Sequence, residues 1–280
     1  MDEGRFAGRL QVGAMSRGRG RIRMLSGKAA VKSPGFPAPR IGVEDGPGDW
    51  PAISRRAAWI TLAVILLVGT ILRVANLGQS PPGLNQDEAI NAWNAHCLLK
   101  TGKDQVGVAW PIFYSRAIGE NRTTLYYYFS IPFQAMGGLN VVTTRLPSAA
   151  AGVLAIWLTY VAGAGLFGRL TGLVAAGLMA LNPWQLLLSR MGHESGLCAL
   201  AGVAPLALLA MAGAPFREGR PSRPMRPWLA TLAGVVAGVG CYGYPAIRLF
   251  TPAFLALLAL VGWRQRSEEH TSELQSRITI

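Results

Sequence analysis

The sequence predicts an all-α integral membrane protein, a polytopic helical bundle, on three observations. The 280 residues are 51% hydrophobic and only 15% charged, with a mean hydropathy of +0.30, which is too apolar for an ordinary soluble domain. Apolar runs of bilayer-spanning length recur along the chain. Many arginines behind the net charge of +13 lie in the N-terminal tail and beside those runs. That is a positive-inside distribution, and it lacks the interleaved basic and aromatic residues of a nucleic-acid surface. No nucleic-acid partner is expected. Cys97, Cys198 and Cys241 are odd in number and widely spaced, so they frame neither a disulfide scaffold nor a zinc site.

Residues 1–56 are rich in Gly, Pro and Arg without an apolar period, and read as a disordered basic cytoplasmic tail. Part of this tail reads as an over-called gene start, with Met15 or Met24 as alternative beginnings. The membrane domain is 57–265. Arg55 and Arg56 hold the start of its first run, 59–77, in the cytoplasm, so the end emerges outside. Arg73, near that end, is either a snorkelling side chain or a ligand for an anionic head group.

Residues 78–144 then form a long first extracytoplasmic loop carrying juxtamembrane helices. The first, over about 86–100, places Asp87, Asn91 and Asn94 on one face and Ile90, Trp93 and Cys97 on another, which suits a helix lying in the membrane interface. A loop with Lys100, Lys103, Asp104 and Trp110-Pro111 follows, and Asn121-Arg122-Thr123 matches a glycosylation sequon. The next apolar stretch, 124–136, opens with Tyr126, Tyr127 and Tyr128, suited to a water–lipid boundary.

Later spans are expected at 146–167, 172–189, 197–214, 228–242 and 247–263. The strongly basic loop from Arg217 to Arg226 falls inside only if 124–136 does not cross. That stretch is short, contains Pro132 and ends at Gly137-Gly138, so it reads as juxtamembrane or re-entrant. The same count puts Arg169 and Arg264 inside and gives about six spans. Gly152, Gly163, Gly165, Gly172 and Gly177 read as close-packing points between helices. Residues 266–280 break abruptly into polar sequence and read as a translated sequencing adapter, a non-native tail in which His270 has no function and beyond which the natural chain would continue.

The chemistry-bearing stretch is Pro81-Pro82-Gly83-Leu84-Asn85-Gln86-Asp87-Glu88-Ala89. The prolines stop the first helix and Gly83 permits a turn. Asn85 caps the next helix, with Glu88 as the reciprocal carboxylate of a capping box. Both acids also suit the helix dipole and could be structural; but if Glu88 folds back to the cap, Asp87 is free to face water. The turn Met191-Gly192-His193-Glu194 returns to the same side, as does Tyr242 to Arg248. Asp87, His193 and Glu194 are a candidate set of divalent-metal ligands, although the reading preferred here has no metal and no cofactor. Snorkelling is the alternative for Arg190 and Arg248, and a satisfied interfacial histidine for His193.

The order of these elements resembles the polyprenyl-phosphate-dependent membrane glycosyltransferases of the GT-C type. These include the protein O-mannosyltransferases of glycosyltransferase family 39 and the aminoarabinose and galacturonic acid transferases of lipopolysaccharide. The matching motifs are Pro-Pro-Gly-Leu-Asn-Gln-Asp87-Glu88-Ala, Thr144-Arg145-Leu146-Pro147-Ser148-Ala149, Phe167-Gly168-Arg169, and Asn182-Pro183-Trp184 through Ser189-Arg190 with Glu194, within 57–263. The resemblance implies a GT-C bundle in the cytoplasmic (inner) membrane, with a cytoplasmic N-terminus and an extracytoplasmic active site. Its partners would be the bilayer, a polyprenyl-phosphate-linked sugar, and a glycan, lipid or protein hydroxyl as acceptor, with transfer inverting the anomeric carbon.

Within that resemblance Asp87 would orient or deprotonate the acceptor. Glu194 aligns with a second acidic position where relatives often carry Asp, and Glu88 is a further catalytic candidate. Arg248, Arg190 and Lys103, in that order, are candidates for the leaving phosphate. The family has further helices and an outer C-terminal domain, without which this stretch is expected to be inactive. The rival readings are a lipid-linked sugar transporter or flippase and a non-catalytic lipid-binding scaffold. Charges gathered at one face, with no internal repeat, argue against the transporter.

Overall fold

The computed structural model describes residues 53–117, 119–213, 226–257 and 259–260. The tail up to residue 52, the greater part of the basic loop before Arg226, Arg264 and the 266–280 stretch lie outside the described residues.

Helix α1, Arg55–Val74, begins at Ser54, whose hydroxyl accepts the Ala57 N–H. Its Ala58 and Leu62 form a core with Ile156 and Tyr160 of α4, Val141–Leu166, and with Leu173, Ala176 and Ala180 of α5, Arg169–Leu181. Trp59, Ile60, Leu67 and Ile71 face away from the bundle, the surface a spanning helix gives to lipid. Three helical stretches among the described residues, α1, α4 and Glu194–Ala212, are long and apolar enough to cross a membrane, and a bent pair adds a fourth if it is one broken span. Two further apolar helices, α8 (Pro227–Cys241) and α9 (Pro245–Leu257), are shorter.

The bent pair breaks the run expected as one span at 172–189. Pro183 drives Asn182 out of helical geometry, to ψ 116°, and α5 meets α6, Pro183–Ser189, at 61°. The break strands carbonyls at the end of α5, and Arg73 answers them. Its guanidinium is fully buried and donates to the carbonyls of Gly69 (3.0 Å), Ala180 (3.1 Å) and Met179 (3.2 Å), and to Gln185 Oε1. Arg73 therefore neither snorkels nor meets a head group. Gly152 makes room, since a Cβ there would stand 2.9 Å from Arg73 Nε and 2.7 Å from Ser189 Cβ. Gly177 is looser, since a Cβ there would stand 4.0 Å from Ile65 Cδ1, an ordinary contact.

The first loop is not wholly helical. Asp104 folds the segment after α2 (Gln86–Thr101) by accepting the N–H groups of Val106 and Val108 and the Ser115 hydroxyl at 2.6 Å. Strands β1, Tyr114–Ala117, and β2, Glu120–Thr123, then pair antiparallel, pairing Arg116 with Asn121. This hairpin corrects the all-α expectation. Helix α2 also departs from the interfacial picture: Asn91 and Asn94 are fully buried and Trp93 is exposed, so the polar face turns inward. It packs on α3, Leu125–Gly137, where Gln134 donates to the Ala92 carbonyl and Tyr127 contacts Ala95 and Leu98.

Both ends of α3 touch the first two turns of α4. The Tyr126 hydroxyl donates to the Thr144 carbonyl at 2.9 Å, and Thr143 Oγ1 donates to the Gly138 carbonyl at 2.7 Å. Helix α3 thus stays at one end of the bundle. At the other end, Arg169 donates to the Ile53 carbonyl beside the start of α1.

Candidate functional site

The end of the bundle that carries the first loop also carries the acids. Asn85 caps α2 by accepting the Glu88 N–H at 2.7 Å, and Glu88 Oε2 accepts the Asn85 N–H at 3.1 Å. The box fixes Glu88 inward, 2% exposed, against the fully buried Arg145 of α4. Arg145 Nε donates to Glu88 Oε1 at 2.9 Å and its terminal nitrogens to the carbonyls of Leu77, Pro81 and Gly83, fastening the whole turn between α1 and α2. Glu88 Oε1 also accepts the Gly192 N–H at 2.6 Å. Glu88 thus joins the two halves of the site and has no oxygen left for another partner. Gly192 is required there, because a Cβ would sit 2.8 Å from the Thr144 carbonyl oxygen.

One residue earlier on the helix, Asp87 points outward and keeps about a third of its side chain exposed, 37%. Arg122 of β2 donates to its Oδ1 at 2.5 Å, and His193 Nε2 lies 3.2 Å from its Oδ2. Glu194 begins a single 3₁₀ turn, Glu194–Leu197, that leads into α7, Cys198–Ala212. It is buried, accepts from Asn91 Nδ2 at 2.9 Å, and stands 4.0 Å from Arg122 Nη1 and 3.7 Å from His193 Nε2. Two carboxylates therefore share one guanidinium and one imidazole. The hydroxyl of Tyr127 is buried without a hydrogen-bond partner, and burial, then the nearby Glu194 carboxylate, pushes its ionisation well above the ordinary phenol value.

The turn before α9 closes the site. Thr123 Oγ1 donates to the Gly243 carbonyl at 3.0 Å, and the Tyr244 ring meets the His193 ring edge-on with centroids 6.2 Å apart. Asp87, His193, Glu194 and Tyr244 thus gather at one end of the bundle. The three cations named from sequence fare differently. Arg190 donates to the carbonyls of Leu72 (2.6 Å), Ala75 (2.9 Å) and Ser80 (2.9 Å), so its guanidinium caps the end of α1 and leaves the site. Arg248 is exposed, its Nε on the Cys241 carbonyl at 3.2 Å, and Lys103 is exposed on the loop.

The cation in contact with Asp87 is Arg122, which the sequon reading obscured. The Arg122 guanidinium among Asp87, Glu120 and Glu194 offsets part of the negative charge of these carboxylates. Among the described residues no three acidic, His or Cys side chains converge as metal ligands.

No curated protein and no solved structure matches the chain significantly. Residues 121–274, more than half of the chain, match the sequence profile described as dolichyl-phosphate-mannose-protein mannosyltransferase. The matched region holds Arg122, Arg145, His193 and Glu194; Asp87 and Glu88 precede it and join it through the contacts above. With its apolar helices and this match, the chain belongs to the dolichyl-phosphate-mannose-protein mannosyltransferase family, a membrane glycosyltransferase family of the GT-C type.

Proposed function

We propose that the protein transfers a sugar from a polyprenyl phosphate to an acceptor hydroxyl at the extracytoplasmic face of the inner membrane, with Asp87 as general base. The observation that carries the reading is the division of labour among three acids: Glu88 and Glu194 are buried and engaged, while Asp87 is held from two sides and still faces solvent. In the proposed step, Asp87 takes the proton of the acceptor hydroxyl as its oxygen attacks the anomeric carbon. The bond from that carbon to the phosphate oxygen breaks, polyprenyl phosphate leaves, and the anomeric configuration inverts.

The departing phosphate needs a cation where its charge develops. Arg122 is the nearest such group to Asp87, and Arg248 and Lys103 remain exposed candidates near the same end. Glu194 is assigned to hold Arg122 and Asn91, and Glu88 to fix the turn carrying Asp87. The orientation follows from charge. Arg55, Arg56 and Arg169 lie at the end opposite Asp87, and a positive-inside arrangement makes that end cytoplasmic.

The test is Asp87→Asn in the protein expressed from its natural gene, with mannosyl-phosphoryl polyprenol as donor. Transfer is expected to fall by at least about 100-fold while membrane insertion is unchanged. Transfer retained by Asp87→Asn would favour the scaffold or transporter reading.

A further inference from the structure

We propose that His193 is a positioning residue for Asp87, locked by Ser195 as the neutral ring that carries its proton on Nε2. The inference rests on the transferase reading for the role and on local geometry for the tautomer. His193 caps the 3₁₀ turn, and its Nδ1 accepts the backbone N–H of Ser195 at 3.1 Å. An amide nitrogen can only donate, so Nδ1 must offer its lone pair. The Ser195 hydroxyl, 2.7 Å from the same nitrogen, can donate to it as well. The ring proton is then on Nε2, and Nε2 faces Asp87 Oδ2 at 3.2 Å and Glu194 Oε2 at 3.7 Å.

The arrangement solves a problem that Arg122 alone leaves open. Arg122 is shared by Asp87, Glu120 and Glu194, so a single contact to Oδ1 lets the Asp87 carboxylate rotate about its last bond. A second donor on Oδ2 fixes that rotation and leaves the free lone pairs toward solvent. A neutral donor does this without adding a second full cation. The edge of Tyr244 and the Ser195 cap fix the plane of the ring in turn. The same third-group logic, in which one residue orients the group that moves the proton, recurs in hydrolytic triads.

Two measurements test this. The whole chain in lipid nanodiscs, with ¹⁵N in its histidine rings, is compared by NMR with His193→Gln to assign the His193 signals. The expected result is a protonated Nε2 and an unprotonated Nδ1, with the Nε2 proton signal moving in Asp87→Asn. A proton on Nδ1, or on both nitrogens, at neutral pH overturns the tautomer lock.

In the protein expressed from its natural gene, turnover of mannosyl-phosphoryl polyprenol is then measured for His193→Leu and His193→Gln. Gln places an amide N–H near the position of Nε2. The Leu variant should lose about 100-fold in kcat, the scale of a misaimed catalytic group, with KM little changed, and Gln should restore most of it. Equal losses in both variants, or a change confined to KM, would overturn the positioning role. Wild-type protein that turns over no such donor would overturn the transferase reading and the role together, whereas a wrong tautomer with active enzyme overturns the His193 proposal alone.

Discussion

Glu88 and Gly192, 104 residues apart in sequence, meet through a 2.6 Å hydrogen bond from the Gly192 N–H to Glu88 Oε1. This bond joins the turn after α1 to the turn before α7, and so sets Asp87 beside His193. Because the same carboxylate is paired with Arg145 in the interior, the site depends on one buried ion pair.

Arg145→Met would leave Glu88 as an uncompensated buried charge and would free three turn carbonyls. A loss of about 3–5 kcal/mol is expected from breaking such a pair. Thermal unfolding of purified protein checks it. Arg145→Met combined with Glu88→Gln should lose less than the two single changes added together, since neither partner is then left charged.

Gly192→Ala should be disruptive although the change is one methyl group. The added Cβ would stand 2.7 Å from Thr144 Cγ2 and 2.8 Å from the Thr144 carbonyl oxygen. A backbone atom cannot swing aside, so the turn must move and the Glu88 bond is lost, at about 1–3 kcal/mol. Gly234→Ala in α8 is the control: its Cβ meets nothing within 4 Å, and helix propensity favours Ala there by up to about 1 kcal/mol. Thermal melts of the two variants should move in opposite directions.

Arg73→Met removes the donor for the carbonyls stranded where α5 breaks into α6. Unsatisfied buried acceptors at Met179, Ala180 and Gln185 should cost about 2–4 kcal/mol together, read as a lower melting temperature and faster proteolysis near Asn182. If stability is unchanged, the account of the broken span is wrong.

Cys97 offers a test by pH. Burial, and then the Asp104 carboxylate, raises its thiol above the ordinary value. A raised thiol pKa means less thiolate at a given pH, so alkylation should be slower than for a free thiol at neutral pH and its midpoint should lie higher. The folded state favours the protonated thiol. Its stabilising contribution is therefore present below the unfolded pKa and is lost as pH rises through the folded one. Asp104→Asn removes the second cause and should move the alkylation midpoint part of the way down.

What the sequence made legible was local. Hydropathy over about 20 residues marks a span, so α1, α4 and α7 were readable. The Asn85 and Glu88 capping box is a four-residue pattern, and it occurs as read. The gathering of Asp87, His193 and the Tyr244 turn at one end followed from counting sides of the membrane. The long-range partners were not legible. Arg122 reaches Asp87 across 35 residues, Arg145 reaches Glu88 across 57, and Arg73 reaches Gln185 across 112.

A basic residue near an apolar run looks the same whether it snorkels, caps a helix end as Arg190 does, or fills a core as Arg73 does. The hairpin was missed because its strands are four residues each and follow an irregular loop. Its one signal was the cation within Glu120-Asn121-Arg122-Thr123, in the same segment between α1 and α4 as Asp87 and Glu88.

In the proposed arrangement Asp87 and His193 open to the outside of the cell. In whole cells, with the three native cysteines changed to Ser, single cysteines at positions 87, 193 and 169 would be treated with a membrane-impermeant thiol reagent. The first two are expected to label in intact cells, and the third only after permeabilisation. Labelling of position 169 from outside, with 87 and 193 protected, would contradict the account.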